Sequence, residues 1–232
     1  MAIAREDYEA TGDVPATIAW LTDYFGQRGS RYWQSQGWTV PANQAELEAL
    51  LYDPAIDAAY QVMLQHFIVL DLVDAYQLHY YESWKHLPRV IEWIRSKMQV
   101  AGGRLPIEAW ELGYAWYDDP AGTPPHGYDE ATHARDVAKL LATAAGEGLS
   151  RTHYLPYWSN EVAHGKEEVH WALVASDYTP RQALSAFQTA IGLTAGRRHA
   201  RRIDPGPGWW GYDFDGLELT WTETGDVVVT GN

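Results

Sequence analysis

The chain has 232 residues, 46% of them hydrophobic, and no cysteine. That is enough for one large domain with a sizeable core, and it excludes a disordered chain, disulfides and thiolate metal sites. With 17 Lys and Arg against 31 Asp and Glu, the formal charge of −14 disfavours nucleic acid and anionic membrane as partners and leaves a neutral ligand open.

Residues 1–14 are polar and show no clear period. The segment Met1 to Asp7 lacks the apolar run of a secretory signal, and no stretch reaches the roughly 20 apolar residues of a membrane span. Localisation is not readable from the chain. Pro15 to Gly26 reads as a helix with Ile18, Leu21, Tyr24 and Phe25 in one stripe. Residues 30–41 read as an aromatic-rich loop. Asn43 caps an expected helix through Tyr52, and Asp53 with Pro54 starts another through Phe67.

Asp71 to Tyr81 is expected to be the first strand. Pro88 opens an amphipathic helix in which Val90, Ile91, Ile94 and Met98 recur at helical spacing, stopped by Gly102 and Gly103. The second strand runs through Ile107 and ends on Glu111. By the two-residue period Ile107, Ala109 and Glu111 share one face, and Glu108 points the other way, toward a helix cation. Residues 115–128 make a long loop rich in Asp, Pro and Gly, which hints at function or mobility. Asp129 to Ala145 is a helix, Thr152 to Trp158 the third strand, and Val169 to Val174 a short apolar strand or turn. Thr179 and Pro180 begin the last helix, ended by Gly196. The basic residues Arg197, Arg198, Arg201 and Arg202 read as a patch paired to acidic neighbours. Trp209–Tyr212, Leu217–Thr222 and Asp226–Thr230 alternate like small antiparallel strands, with turns at Gly216 and Gly225.

The recurring strand–loop–helix unit predicts an α/β fold with a parallel sheet. Its form is a partial (β/α) barrel of about three parallel strands with helices, followed by a small antiparallel β-appendage. Residues 1–70 form a helical segment, 71–200 the barrel part and 201–232 the appendage. In such an architecture chemistry lies at the C-terminal ends of the strands, where Glu111 is placed. His79 and Tyr81, two residues apart, share a face near it. The 12 Trp and 15 Tyr, against 4 Phe, supply flat apolar faces with polar edges of the kind sugar rings stack on. No His-x-x-x-His pair, glycine-rich phosphate loop or Gly-x-Ser-x-Gly elbow is present, so neither metal nor cofactor is expected.

Three segments together resemble a known family: Asp74-Ala75-Tyr76-Gln77-Leu78-His79-Tyr80-Tyr81, Pro106-Ile107-Glu108-Ala109-Trp110-Glu111-Leu112-Gly113, and Tyr157-Trp158. They resemble the last three strands of the retaining glycoside hydrolases with a (β/α)8 barrel, most of all family thirty-nine, the β-xylosidase and α-iduronidase family. The resemblance covers roughly residues 70–200. It implies Glu111 as nucleophile, His79, Tyr81 and Trp110 lining the sugar site, Trp158 as an aromatic floor, and a carbohydrate as the ligand. Glu82 is the one carboxylate near the first strand's tip that is available as proton donor, although alternation aims it away from His79 and Tyr81. The chain departs from that family in lacking an Asn-Glu pair ahead of the first strand; its only Asn-Glu is Asn160-Glu161. Two functions are open: a glycoside hydrolase-like enzyme of retaining mechanism, or a non-catalytic carbohydrate-binding or truncated barrel fragment that self-associates through exposed sheet edges.

Overall fold

The structure, a computed structural model, describes residues 1–26, 33–69, 73–114, 129–158, 170–197 and 199–231. The first part holds the helices α1 (Ala2–Thr11), α2 (Val14–Tyr24), α3 (Gln44–Leu51) and α4 (Pro54–Met63). The caps are those that the sequence signals. Asn43 accepts a hydrogen bond from the Glu46 amide, and Asp53 accepts from the amides of Ala55 and Ile56. Helix α1 falls where no period is legible, because Ala4 is its one buried residue. Ala4, Leu21, Phe25, Trp33, Leu47 and Leu51 form a small core of their own. A short π-helix, Leu64–Val69, continues from α4. The Glu6 carboxylate ties α1 to two later helices. It accepts from the Tyr60 hydroxyl and the Trp93 indole at 2.9 and 3.0 Å and pairs with Lys97 at 2.7 Å.

The α/β part comprises β1 (Tyr76–Tyr80), a 3-10 turn (Trp84–His86), α5 (Leu87–Val100), β2 (Ile107–Leu112), α6 (Glu130–Gly146), β3 (Arg151–Tyr154) and α7 (Gln182–Thr194). The three strands pair in parallel in the order β1-β2-β3. β1 is shorter than expected: residues 73–75 lie ahead of it without strand pairing, and 70–72 are outside the described residues. Pro180 is spent on a bridge with Val174, so α7 starts after it, at Gln182.

One face of the sheet is buried. Tyr76, Leu78, Tyr80, Ile107, Ala109 and Leu112 pack in one core against Val90, Ile91, Ile94 and Met98 of α5 and Val137, Leu140 and Leu141 of α6. The opposite face carries Gln77, His79, Glu108, Trp110 and Glu111, all exposed or half-buried. Parallel sheets are normally covered on both faces. Here the helices cover one, as in an arc of a (β/α) barrel. The chain is an α/β protein of three consecutive β/α strands, a partial barrel with a C-terminal antiparallel appendage.

The appendage is a four-stranded sheet in the order β4-β5-β6-β7, formed by Ala200–Arg202, Trp209–Phe214, Leu217–Thr222 and Val228–Gly231. β4 is additional to the expected strands. The inner face of this sheet does not make a separate core: Tyr212, Phe214, Leu217, Leu219 and Trp221 join the core of the parallel sheet. The seam is closed at Gly146, where a Cβ would stand 2.2 Å from the Tyr212 ring. Beside it the buried Glu147 carboxylate accepts from the Tyr212 hydroxyl at 2.6 Å and from Arg202 at 2.7 Å. Burial and Glu147 together push the Tyr212 hydroxyl pKa up. Arg201 pairs with Asp213 at 2.7 Å, so both of these arginines are paired to acidic neighbours; Arg198 is outside the described residues.

Trp84 joins the parallel sheet and its helices to the appendage. Its indole donates to Asp136 at 3.2 Å, and its ring meets Trp210 and Trp221 edge-on. Buried Lys139 stands 5.3 Å over the same ring and donates to the Glu223 carbonyl at 2.8 Å. Burial raises the Asp136 carboxyl to about 6, against the opposing pull of Lys139 and the Trp84 hydrogen bond. The folded state therefore binds this proton more tightly than the unfolded chain, and protonation favours the fold. Relative to Asp136→Asn, the wild type gains stability as pH falls from about 6 toward 4, by at most about 1.4 kcal/mol per pH unit. Urea unfolding of both proteins at pH 4, 5 and 6 measures this, and a constant difference between them contradicts it.

Candidate active site

The C-terminal ends of β1, β2 and β3 converge at Gly113. Its amide donates to the Tyr80 carbonyl at 3.0 Å, and the Leu155 amide donates to the Leu112 carbonyl at 2.9 Å. A Cβ on Gly113 would stand 2.3 Å from the Leu155 carbonyl oxygen and 3.6 Å from the Tyr81 ring. Glycine is required by this close approach of backbone to backbone. Behind this edge, the Tyr80 hydroxyl donates to the Ser83 carbonyl at 2.5 Å and the Trp84 amide donates to the Tyr114 hydroxyl at 3.2 Å, which fixes the turn leaving β1.

Glu111 is not on the face that simple alternation gives it. Leu78 pairs with Ala109 and His79 pairs with Glu111, so Trp110 is an extra residue and β2 carries a bulge there. Ile107, Ala109 and Leu112 go to the core, and Glu111 comes out on the open face with Glu108 and Trp110. In β1 the same face carries Gln77 and His79, and Tyr81 follows in period.

That exchange assembles a cluster. The Tyr81 hydroxyl donates to Glu111 Oε2 at 2.5 Å, and His79 Nδ1 lies 3.2 Å from the same oxygen. The side chains of His79 and Glu111 are 47% and 37% exposed, so the carboxylate is reachable from solvent. His79 Nε2 is hydrogen-bonded to the Gln77 amide. Gln77 was legible by the period that gives His79 and Tyr81: it is one step earlier on the same face. A carboxylate held through one oxygen by a phenol and an imidazole is oriented along one direction.

The other expected residues take separate places. Trp110 is 50% exposed on the bulge, and its indole donates to Glu108 at 2.8 Å. Glu108 lies 3.8 Å from Arg151, so the cation it approaches belongs to β3 and not to a helix. Glu82 is 3% exposed, and its field opposes the effect of burial on the Met1 amino group, whose pKa falls to about 6. Trp158 is half-buried just beyond β3, bridged to Val174 and stacked on Tyr178. The loop 115–128 and the residues Asn160, Glu161 and Glu167 lie outside the described residues. Among the described residues, no group of three or more His, Asp or Glu side chains is placed to hold a metal ion, and no helix is long and apolar enough to cross a membrane.

Replacing Gly113 by Ala forces the Leu155 carbonyl and Tyr81 away from their places. The expected result is a loss of stability of about 1–3 kcal/mol, as for overpacking elsewhere. Urea unfolding checks the loss, and a variant as stable as the wild type contradicts the close approach.

No family model matches the sequence, and no curated protein matches it. Among solved structures, a GH39 β-xylosidase from Caulobacter crescentus is similar at 13% identity with a TM-score of 0.38. The match covers 88% of this chain and 51% of that one, so the chain spans about half the length of that enzyme. A likeness this loose carries no weight for the fold or for the site.

Proposed function

We propose that the chain is a glycoside hydrolase-like protein in which Glu111 is the nucleophile of a retaining hydrolysis of O-glycosidic bonds. The observation that supports this most is the Tyr81 hydroxyl donating to Glu111 at 2.5 Å, with His79 at 3.2 Å, on the open C-terminal edge of a parallel sheet. The phenol keeps the carboxylate aimed, which is what attack on an anomeric carbon needs. The step forms a bond between a Glu111 oxygen and the anomeric carbon as the bond to the leaving oxygen breaks; water then releases the sugar with its configuration kept. Trp158 and Trp110 supply apolar faces for the ring, Gln77 supplies hydrogen bonds to its hydroxyls, and His79 lines the site beside Glu111.

A retaining mechanism also uses a second carboxyl group about 5–5.5 Å away as acid and base. Neither nearby carboxylate takes that part, since Glu82 is buried and Glu108 is engaged by Trp110. Substrates whose leaving group departs without a proton are therefore the ones to test. The purified chain is expected to release dinitrophenolate from dinitrophenyl β-glycosides, xylosides included. With the 2-deoxy-2-fluoro analogues it is expected to retain a glycosyl adduct on Glu111, read by peptide mass spectrometry. Glu111→Gln is expected to lose turnover by roughly 10³-fold or more and to form no adduct. Equal turnover in the variant refutes the assignment.

A second reading is favoured by the open sheet face: a non-catalytic carbohydrate-binding or barrel-fragment protein whose exposed edges, at β1 and β3, associate with another copy. It predicts an average mass that rises with concentration in sedimentation velocity, together with sugar binding and no turnover. A monomer at all concentrations removes the association.

A further inference from the structure

We propose that Tyr178 is a sugar-stacking platform that extends the Glu111 site outward to a second ring of a neutral oligosaccharide. The inference rests on the sugar-binding reading of that site. Tyr178 was not among the residues picked out from the sequence, and three features single it out.

The first is its backbone. Tyr178 has φ of +69°. A bulky residue in the left-handed region is a genuine outlier, and glycine would sit there without strain. Such strain persists where the surroundings over-determine it, and it gathers at binding sites. The surroundings do so here. The Ala175 amide donates to the Thr179 carbonyl at 2.9 Å, and the Tyr178 amide donates to the Ala175 carbonyl at 3.0 Å. The Thr179 amide donates to the Asp177 carboxylate at 2.9 Å.

The second is the ring. It lies parallel to Trp158, with centroids 5.0 Å apart and planes 10° apart. One face is thus covered, yet the residue is 71% exposed, so the other face is open to solvent. The flat aromatic surface that the pair offers a ligand belongs chiefly to Tyr178.

The third is position. The turn is fastened to the continuation of β3: the Val174 amide donates to the Tyr157 carbonyl at 2.9 Å, and Val174 bridges both Trp158 and Pro180. Through Leu155 and Gly113 this segment meets the ends of β1 and β2, the edge that carries Tyr81 and Glu111. A platform on a rigid element, at the same edge as the oriented carboxylate, fits a ligand longer than one ring.

The chemistry names the ligand class. An aromatic face takes the apolar C–H face of a pyranose, and rings with equatorial substituents present such a face. The cation nearest in sequence, Arg181, is paired with Glu130, and the chain's charge of −14 repels anionic sugars. Neutral oligosaccharides of such rings remain.

The test is titration calorimetry with xylotetraose and cellotetraose in the Glu111→Gln protein, which binds without turnover. Tyr178→Phe is expected to bind within about twofold of its parent, and Tyr178→Leu and Tyr178→Gly to bind about tenfold more weakly. Tyr178→Gly is expected to melt no lower than its parent, since it relieves strain, which a purely structural role for the ring would not give. Tyr178→Leu keeps the bulk and the backbone strain, so its loss reports the flat face. Unchanged binding in Tyr178→Leu and Tyr178→Gly overturns the proposal. If the wild type turns over dinitrophenyl glycosides and Glu111→Gln binds neither tetrasaccharide, the platform falls and the Glu111 assignment stands. If there is neither turnover nor binding, both fall.

Discussion

Trp110 is one residue too many for the ladder between β1 and β2, and the backbone absorbs it as a bulge. Two demands are met by that one insertion. Leu112 can return to the core with Ile107 and Ala109, so the end of β2 stays anchored. Glu111 can emerge on the face of His79 and Tyr81, where the phenol and the imidazole reach it. In an unbroken strand Glu111 would fall on the buried face with Ile107 and Ala109, beside apolar side chains, and a carboxylate there would be neutral or destabilising. The bulge separates the residues that hold the sheet from the residues on its open face.

The appendage is part of the same construction. Glu147, at the end of α6, takes hydrogen bonds from Tyr212 and Arg202, and Gly146 lets the Tyr212 ring lie against the helix. Trp84, just past the tip of β1, touches Trp210 and Trp221 of the second sheet. The loop that orients Tyr81 therefore leans on the antiparallel strands. Removing them would expose apolar surface beneath the candidate site as well as at the seam.

Much of this was legible in the residues, and the rest was not, for physical reasons. Helices α5 and α6 announce themselves because their buried residues recur at the helical period. Asn43 and Asp129 mark helix starts because their side chains close the first turn within a few residues. These are local interactions and leave a local trace. The bulge leaves none: Trp110 becomes supernumerary only against β1, about thirty residues earlier. Alternation alone therefore put Glu111 on the wrong face while still picking the right neighbours for it. The Glu147 seam, the union of the two cores and the stacking of Tyr178 on Trp158 are likewise contacts between distant segments. Helix α1 was missed for another reason, since a helix that buries little has no strong period to read.

The open face of the parallel sheet has a consequence for electrostatics. Glu111 and His79 stand in contact with bulk water, where the field between two charges is weakened many-fold compared with a dry interior. In that state the orienting bond from Tyr81 competes with solvent for the same oxygen. Any surface that settles over Gln77, His79 and Glu111 expels that water and lowers the local dielectric. The attraction among the phenol, the imidazole and the carboxylate then strengthens without any of them moving. Covering the face and tightening the hold on the Glu111 carboxylate are therefore one event.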